Sequence, residues 1–235
     1  MATASELDVG KITMQQLMSD GSRRGWNHDI ESGQRKSNGS NGNPRRQAKL
    51  SRQVLLFARN FFKYPKLLGS LIPSSPFLVN HLLSLIDWQR ARIIVEYGPG
   101  IGTFTGEILR RMRPDAVLVA IELNRDFVGF LRDEINDPRL HVVHGSATDV
   151  RKILADLNLP HADYIISGIP YSTLPDKVRA QIVRESRGLL HPEGALVVYQ
   201  FTNTVLPYLR PVFGQVEQDF KLLNILPARI FYCTP

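Results

Sequence analysis

Two hydrophobic periods take turns along most of this 235-residue chain, one of two residues and one of about 3.6. Ile93-Ile94-Val95-Glu96-Tyr97 is an apolar run broken by a single acid, and it leads directly into Gly98, Gly100 and Gly102. That combination predicts a buried parallel strand turning sharply into a helix. Helical spacing follows over 103–113, 126–135, 149–157 and 176–190, separated by strand-like runs at 116–121, 140–143, 164–167 and 195–201. Two further strand-like runs, 220–226 and 228–232, flank Pro227, and so short a link cannot join a parallel pair. The expected architecture is α/β: a doubly wound sheet of seven strands that closes on an antiparallel hairpin.

Residues 1–44 lack this patterning. They are rich in Ser, Gly, Asn and Arg, culminating in Ser37-Asn38-Gly39-Ser40-Asn41-Gly42-Asn43-Pro44, and offer too little apolar surface to offset the entropy of ordering. A disordered extension is expected there. Over 45–66 the pattern returns as an amphipathic helix: Leu50, Val54, Leu55, Phe57, Ala58, Phe61 and Phe62 share one arc, and Arg45, Lys49, Arg52, Arg59, Lys63 and Lys66 the other, until Pro65 ends it after Tyr64. Its apolar face either packs on the protein's own sheet or inserts into an anionic membrane with the cations at the headgroups. A solvated face normally mixes both signs, and this segment contains no acid, which favours the membrane. Residues 67–86 carry no formal charge, but Pro73-Ser74-Ser75-Pro76 breaks the run, and Asn80 and His81 would be costly in lipid. A loop followed by a helix over 76–86, capped by Ser74 or Ser75, replaces a transmembrane span, and His81 reads as a packed or part-exposed side chain. Three segments result: 1–44, 45–66 and a catalytic domain over 67–235.

Charge sharpens that division. The net charge is +7, yet residues 67–235 hold 17 basic and 17 acidic residues, so the whole excess lies in residues 1–66. Polyanion affinity is therefore expected of the amino-terminal segment and not of the core. The single cysteine, Cys233, forms no internal disulfide, and no metal cluster is expected. Residues 1–30 contain no signal-peptide run, so the expected location is the cytoplasm.

The glycine turn carries the chemistry. Three glycines at spacing two let the backbone approach a ligand closely, with the free N–H groups of a helix behind them. A dinucleotide fingerprint would need glycine at Thr103 or Thr105, and no phosphate-binding G-x-x-x-x-G-K-[ST] loop occurs. The remaining pattern, Glu96-x-Gly98-x-Gly100-x-Gly102 after a strand, resembles the first motif of class I S-adenosylmethionine-dependent methyltransferases, whose fold is Rossmann-like. Glu122 ends the second strand, where a carboxylate either accepts both ribose hydroxyl protons or merely caps the next helix. The resemblance implies a cofactor contact with Thr103 and Leu123, and an adenine contact at Ser146 and Ala147, although many members carry an acid where Ser146 stands. Ser167-Gly168-Ile169-Pro170-Tyr171 follows the fourth strand, beside the expected methyl group. Tyr171 either shapes that pocket through cation–π attraction or packs under the next helix.

Phe61-Phe62-Lys63, Ile72-Pro73-Ser74-Ser75, Val95 to Gly102, Ser167 to Pro170, Gln200-Phe201-Thr202 and Leu226-Pro227-Ala228-Arg229 together resemble the bacterial phospholipid N-methyltransferases, which act on phosphatidylethanolamine or ornithine lipids. The resemblance implies a membrane-docked amino-terminal helix on the inner leaflet, metal-free in-line transfer to a lipid amine, Tyr171 as the residue shaping the site or relaying a proton, and a headgroup contact at Lys63, Tyr64 and Lys66. No nucleic-acid partner is expected. Phe77-Leu78-Val79 and Ile169-Pro170-Tyr171 also resemble the ribosomal RNA adenine dimethylases. That family's loop begins with asparagine where Ser167 stands here, and the 64 residues after Tyr171 suffice to finish a sheet but not to add an RNA-binding domain.

Overall fold

Among the described residues, seven strands form one sheet in the order β3 (Leu140–His144), β2 (Val117–Glu122), β1 (Ile93–Tyr97), β4 (Ala162–Ser167), β5 (Leu190–Gln200), β7 (Ala228–Thr234) and β6 (Gln215–Lys221). The computed structural model describes residues 76–221 and 228–235. The extension over 1–44, the basic helix over 45–66 with Arg52, Arg59, Phe61, Phe62, Lys63, Tyr64 and Lys66, the serine cap, and positions 222–226 of the sixth predicted strand lie outside them.

The elements run α1 (Pro76–Leu83), β1 (Ile93–Tyr97), α2 (Thr103–Arg111), β2 (Val117–Glu122), α3 (Arg125–Glu134), β3 (Leu140–His144), α4 (Val150–Asp156), β4 (Ala162–Ser167), α5 (Asp176–Leu189), β5 (Leu190–Gln200), α6 (Leu206–Leu209), β6 (Gln215–Lys221) and β7 (Ala228–Thr234). β1 pairs in parallel with both β2 and β4, and the order reverses between them. β7 enters antiparallel between β5 and β6, as expected of the closing hairpin. No helix among the described residues is long and apolar enough to cross a membrane.

Strand alternation divides the core. Ile94, Leu118, Ile166, Val197 and Ile230 face α1 and α2, where Leu78, Leu82 and Ile108 are buried against them. Val95, Ile165, Val198 and Phe231 face the other way, toward Leu154, Ile182, Val183 and Leu209 of α4, α5 and α6. A sheet covered on both faces explains why its central strands read as nearly continuous apolar runs.

Two assignments from sequence move. The sixth strand begins at Gln215 and not at Phe220: an edge strand carries polar residues, so its alternation is weak, while the apolar Leu222-Leu223 pair drew the assignment downstream. The short helix α6, a single turn entered through Val205 with Pro207 inside it, has no periodic signature. His81 does act as a packed side chain, its Nε2 lying 2.6 Å from Asp219 Oδ2 and tying α1 to β6.

Arg139 closes the carboxyl end of α2 from the start of β3. Its guanidinium donates to Leu109 O at 2.9 Å and to Met112 O and Arg113 O at 3.2 Å, and pairs with Asp137 at 2.7 Å. Carbonyls that end a helix have no partner of their own. Arg139→Ala is expected to lower stability by roughly 2 kcal/mol, read as a fall in the urea midpoint at unchanged slope, with Arg139→Lys recovering part of it.

Candidate active site

At the carboxyl end of β1 the chain needs backbone geometry that side chains resist. Gly98 and Gly102 hold φ of +69° and +85°, left-handed values costing an ordinary residue about 1–2 kcal/mol each. Space is equally decisive: a Cβ on Gly102 would stand 2.7 Å from Leu131 Cδ2, and one on Gly98 would stand 2.9 Å from Ile169 Cγ2. At Gly100 a Cβ would meet nothing within 4 Å, so the middle of the turn borders open space of the kind a ligand fills. Gly102 serves as N-cap of α2 without a side-chain bond, and Thr103 opens the helix, whose first N–H groups have no partner within the helix itself, that of Thr105 bonding to Glu96.

Two buried acids flank the turn. Glu96, 3% exposed, accepts a hydrogen bond from Thr105 Oγ1 at 2.7 Å. Burial is the main reason its carboxyl is pushed up to about 7; nearby Glu122 adds to the rise and the Thr105 hydroxyl opposes it. Glu122, 8% exposed, accepts from Gly100 N at 3.1 Å and Asn124 N at 2.8 Å. Its carboxyl is also raised by burial, against those backbone donors. The cap of α3 is Asn124, whose side chain accepts from Asp126 N at 2.9 Å. Glu122 therefore does not cap that helix but fastens the glycine turn to the end of β2.

Beyond Glu122 stands Leu123, 71% exposed despite its apolar side chain. The neighbouring β3 end supplies Gly145, whose N–H donates to Glu122 O at 3.0 Å, and then Ser146 and Ala147. Ser146 Oγ accepts from Thr148 N at 3.2 Å and from its hydroxyl at 2.8 Å, so it shapes this turn from within.

The loop after β4 corrects one expectation. Tyr171 does not line the crevice: it is fully buried in the core facing α5, and Ser167, also buried, donates to its hydroxyl at 3.3 Å. Burial drives the Tyr171 phenol far above its ordinary value. Of the two readings open in the sequence, packing holds, because Ser167 follows the inward face of β4 and draws the ring beneath the sheet edge.

Arg179, which sequence patterning did not single out, and Gln200, noticed only as part of the Gln200-Phe201-Thr202 segment, hold this loop in place. Arg179, one helical turn into α5, donates to Tyr171 O at 2.7 Å and Ser172 O at 3.3 Å. From the other side, the buried Gln200 donates to Ile169 O at 2.7 Å and Tyr199 O at 2.8 Å. Tyr199 itself stacks on Phe104 of α2 with ring centroids 4.8 Å apart. Thr105, noticed only as a missing glycine, turns out to be the partner of Glu96. No local spacing pairs these residues, since their contacts join distant elements.

Open α/β sheets bind ligands where the strand order reverses, and here the β1/β4 reversal carries a glycine turn with two acids and no third pyrophosphate glycine. The fold and the turn define a class I S-adenosylmethionine-dependent methyltransferase. Residues 62–200 match the ribosomal RNA adenine dimethylase model, and the chain belongs to that family. It is 30% identical to the ornithine lipid N-methyltransferase of Singulisphaera acidiphila, across 77% of this chain and 96% of that one. To the ribosomal RNA small subunit methyltransferase A of Burkholderia cenocepacia it is 33% identical, across 41% of this chain and 37% of that one. Among solved structures it resembles precorrin-6y C5,15-methyltransferase of Geobacter metallireducens, with a TM-score of 0.54 at 18% identity over 69% of this chain and 90% of that one. TrmN of Thermus thermophilus has the same score and identity over 75% and 53%.

Raising a carboxyl's pKa on folding means the folded chain binds the extra proton, so stability falls as pH climbs from 4.5 through 7. For Glu96 the loss amounts to about 3 kcal/mol above pH 7. In the unliganded protein Glu96→Gln is expected to raise the melting temperature at pH 8 and to leave it nearly unchanged at pH 5. Cofactor affinity should rise between pH 6 and 8 in the parent protein, with proton release visible by calorimetry in buffers of different ionisation enthalpy, and lose that release in the variant.

Proposed function

We propose that the protein uses S-adenosylmethionine to methylate the amine of a membrane lipid. The observation that carries this reading is the extent of similarity: the lipid-acting relative matches nearly end to end, whereas the ribosomal RNA relative matches over little more than a third of its length. The β4 loop adds support. Ser167 turns into the core and Gly168 has no side chain, so the loop's opening residues offer nothing to grip a nucleobase amine.

The residues fit the cofactor. Glu122, at the end of β2, is placed to accept ribose hydroxyl protons, and the exposed Leu123 offers an apolar face to the adenine beside Ser146 and Ala147. The turn from Gly98 to Gly102 and the first N–H groups of α2 at Thr103 cradle the remainder, with Glu96 supplying negative charge beneath it. Bound there, S-adenosylmethionine supplies a methyl group activated by its positively charged sulfur. The residues of the β4 loop, Ser167 and Gly168 among them, are fixed by Arg179 and Gln200, and so position the acceptor rather than reacting with it. The attacking nitrogen must be neutral, and a site closed by lipid lowers an amine's pKa by desolvation.

On this reading residues 45–66 dock on the anionic inner leaflet of the cytoplasmic membrane, with Arg52, Arg59, Lys63, Tyr64 and Lys66 at the headgroups and Phe61 and Phe62 inserted. The match to the dimethylase model favours a second reading, methylation of RNA adenine.

Purified protein given labelled S-adenosylmethionine, with either anionic vesicles containing phosphatidylethanolamine or ornithine lipid, or ribosomal RNA, separates the two. Label in lipid is expected; label in RNA alone overturns the proposal. Deleting residues 45–66 should abolish flotation with anionic vesicles and leave cofactor affinity within about twofold, a difference of about 0.4 kcal/mol. Unchanged flotation would return that helix to the protein's own core.

A further inference from the structure

Gly168 has no room for a side chain, and the obstruction is one residue. A Cβ built on it would stand 2.7 Å from Cζ and 3.0 Å from Cε1 of Tyr199. Tyr199 lies next to the end of β5 and is half-buried, and it is held on two sides. Its ring stacks on Phe104 at 27° between planes, and Phe104 is itself 4% exposed in the first turn of α2, immediately behind the glycine turn. Its carbonyl accepts from Gln200, which also holds Ile169, and Ile169 in turn lies against Gly98. A continuous set of contacts thus runs from Gly98 through Ile169 and Gly168 to Tyr199 and Phe104, spanning the gap between the cofactor turn and the β4 loop.

We propose that Tyr199 is a specificity-determining residue of the acceptor site: its ring, fitted against Gly168 and stacked on Phe104, forms a wall that admits a slim alkyl amine and excludes a planar heteroaromatic one. This rests on the lipid-amine reading above and names the side chain that enforces it. Two physical effects act together. The ring occupies the volume that a loop side chain or the plane of a nucleobase would need, in a region with no slack because each wall residue is packed on another. Its π face also attracts an ammonium, so the protonated mono- and dimethylated amines are retained between transfers, each losing its proton before it attacks, and only a trimethylated product carries a permanent charge. The hydroxyl oxygen is the atom nearest a Gly168 Cβ, but the ring behind it, with Cζ at 2.7 Å, is enough for both effects, which distinguishes a wall from a proton relay. Tyr199 takes over the aromatic role that spacing had suggested for Tyr171.

The test uses the full-length protein with vesicles containing phosphatidylethanolamine, vesicles containing ornithine lipid, and a single-stranded adenosine-containing RNA, with S-adenosylhomocysteine affinity measured separately. Tyr199→Phe should keep kcat and KM for the vesicle amine within about threefold of the parent. Tyr199→Ala should raise that KM at least tenfold, about 1.4 kcal/mol, while the affinity for S-adenosylhomocysteine stays within about twofold. Gly168→Asn should lose vesicle methylation with the cofactor product still bound, and the pair Gly168→Asn with Tyr199→Ala should recover part of the lost thermal stability, because the second change vacates the space the first one needs. Unchanged KM in Tyr199→Ala, or an equal loss in Tyr199→Phe, overturns the wall while leaving the lipid reading intact. Methylation of RNA and of neither vesicle by the parent protein overturns the reading itself, and the wall with it.

Discussion

The structure depends on a turn that only glycine can make, and on what that turn must be bonded to. Leaving β1 at Tyr97, the chain needs left-handed geometry at residues 98, 100 and 102, and such a path has few hydrogen bonds of its own. It is fixed from outside: Gly98 N donates to Ile121 O, Gly100 N to the Glu122 carboxylate and Gly102 N back to Pro99 O. Leu131 of α3 then closes over Gly102. Strand β2, helix α3 and helix α2 are thereby arranged around one short stretch of backbone.

The same arrangement has an electrostatic cost. Glu96 and Glu122 are both buried and both raised by desolvation, and the charge of Glu122 further opposes the ionisation of Glu96. A fold selected only for stability would place apolar residues there. On the proposed reading, a cationic ligand with a diol opposite the acids would restore in binding what burial removes. Thr105 moderates this by donating to Glu96, and its position one turn into α2 couples the helix to the acid beneath the turn.

How much was legible follows from which forces are local. Alternation at period two or 3.6 reports burial on one or two faces, and it gave β1 to β4 and α2 to α5 close to their observed bounds, while β5 starts at Leu190, ahead of the predicted Ala195. It misplaced β6, where an edge strand keeps polar side chains and so loses the signal. The glycine turn and Glu122 were legible because conformation and chemistry both restrict the residues allowed there. Tyr171 was not, since a ring after Pro170 can turn either way, and the choice is made by Ser167 on an inward-facing strand position. Arg179 and Tyr199, and the contact made by Gln200 though the residue itself stood in a recognised segment, were hidden for a related reason: each meets the β4 loop from an element remote in sequence, and no pattern along the chain encodes such a meeting.

Those remote residues locate the acceptor's identity. The cofactor half of the site is built from ends of β1, β2 and β3, and relatives named for lipid and for ribosomal RNA methylation share similarity with this chain. A shared cradle cannot separate their acceptors, because the transferred methyl group is the same. Discrimination has to come from side chains that reach the β4 loop from outside the cradle, and in this chain the bulkiest of these against Gly168 is the ring of Tyr199. The loop after β4 therefore presents backbone and a glycine, while β5 supplies the wall, and the two are kept in register by Gln200, which donates to Ile169 of the loop and Tyr199 of the strand at once. One amide thus ties the loop to the strand, so on the proposed reading a change in acceptor would require Gly168, Tyr199 and Gln200 to change together and not a single residue of the loop.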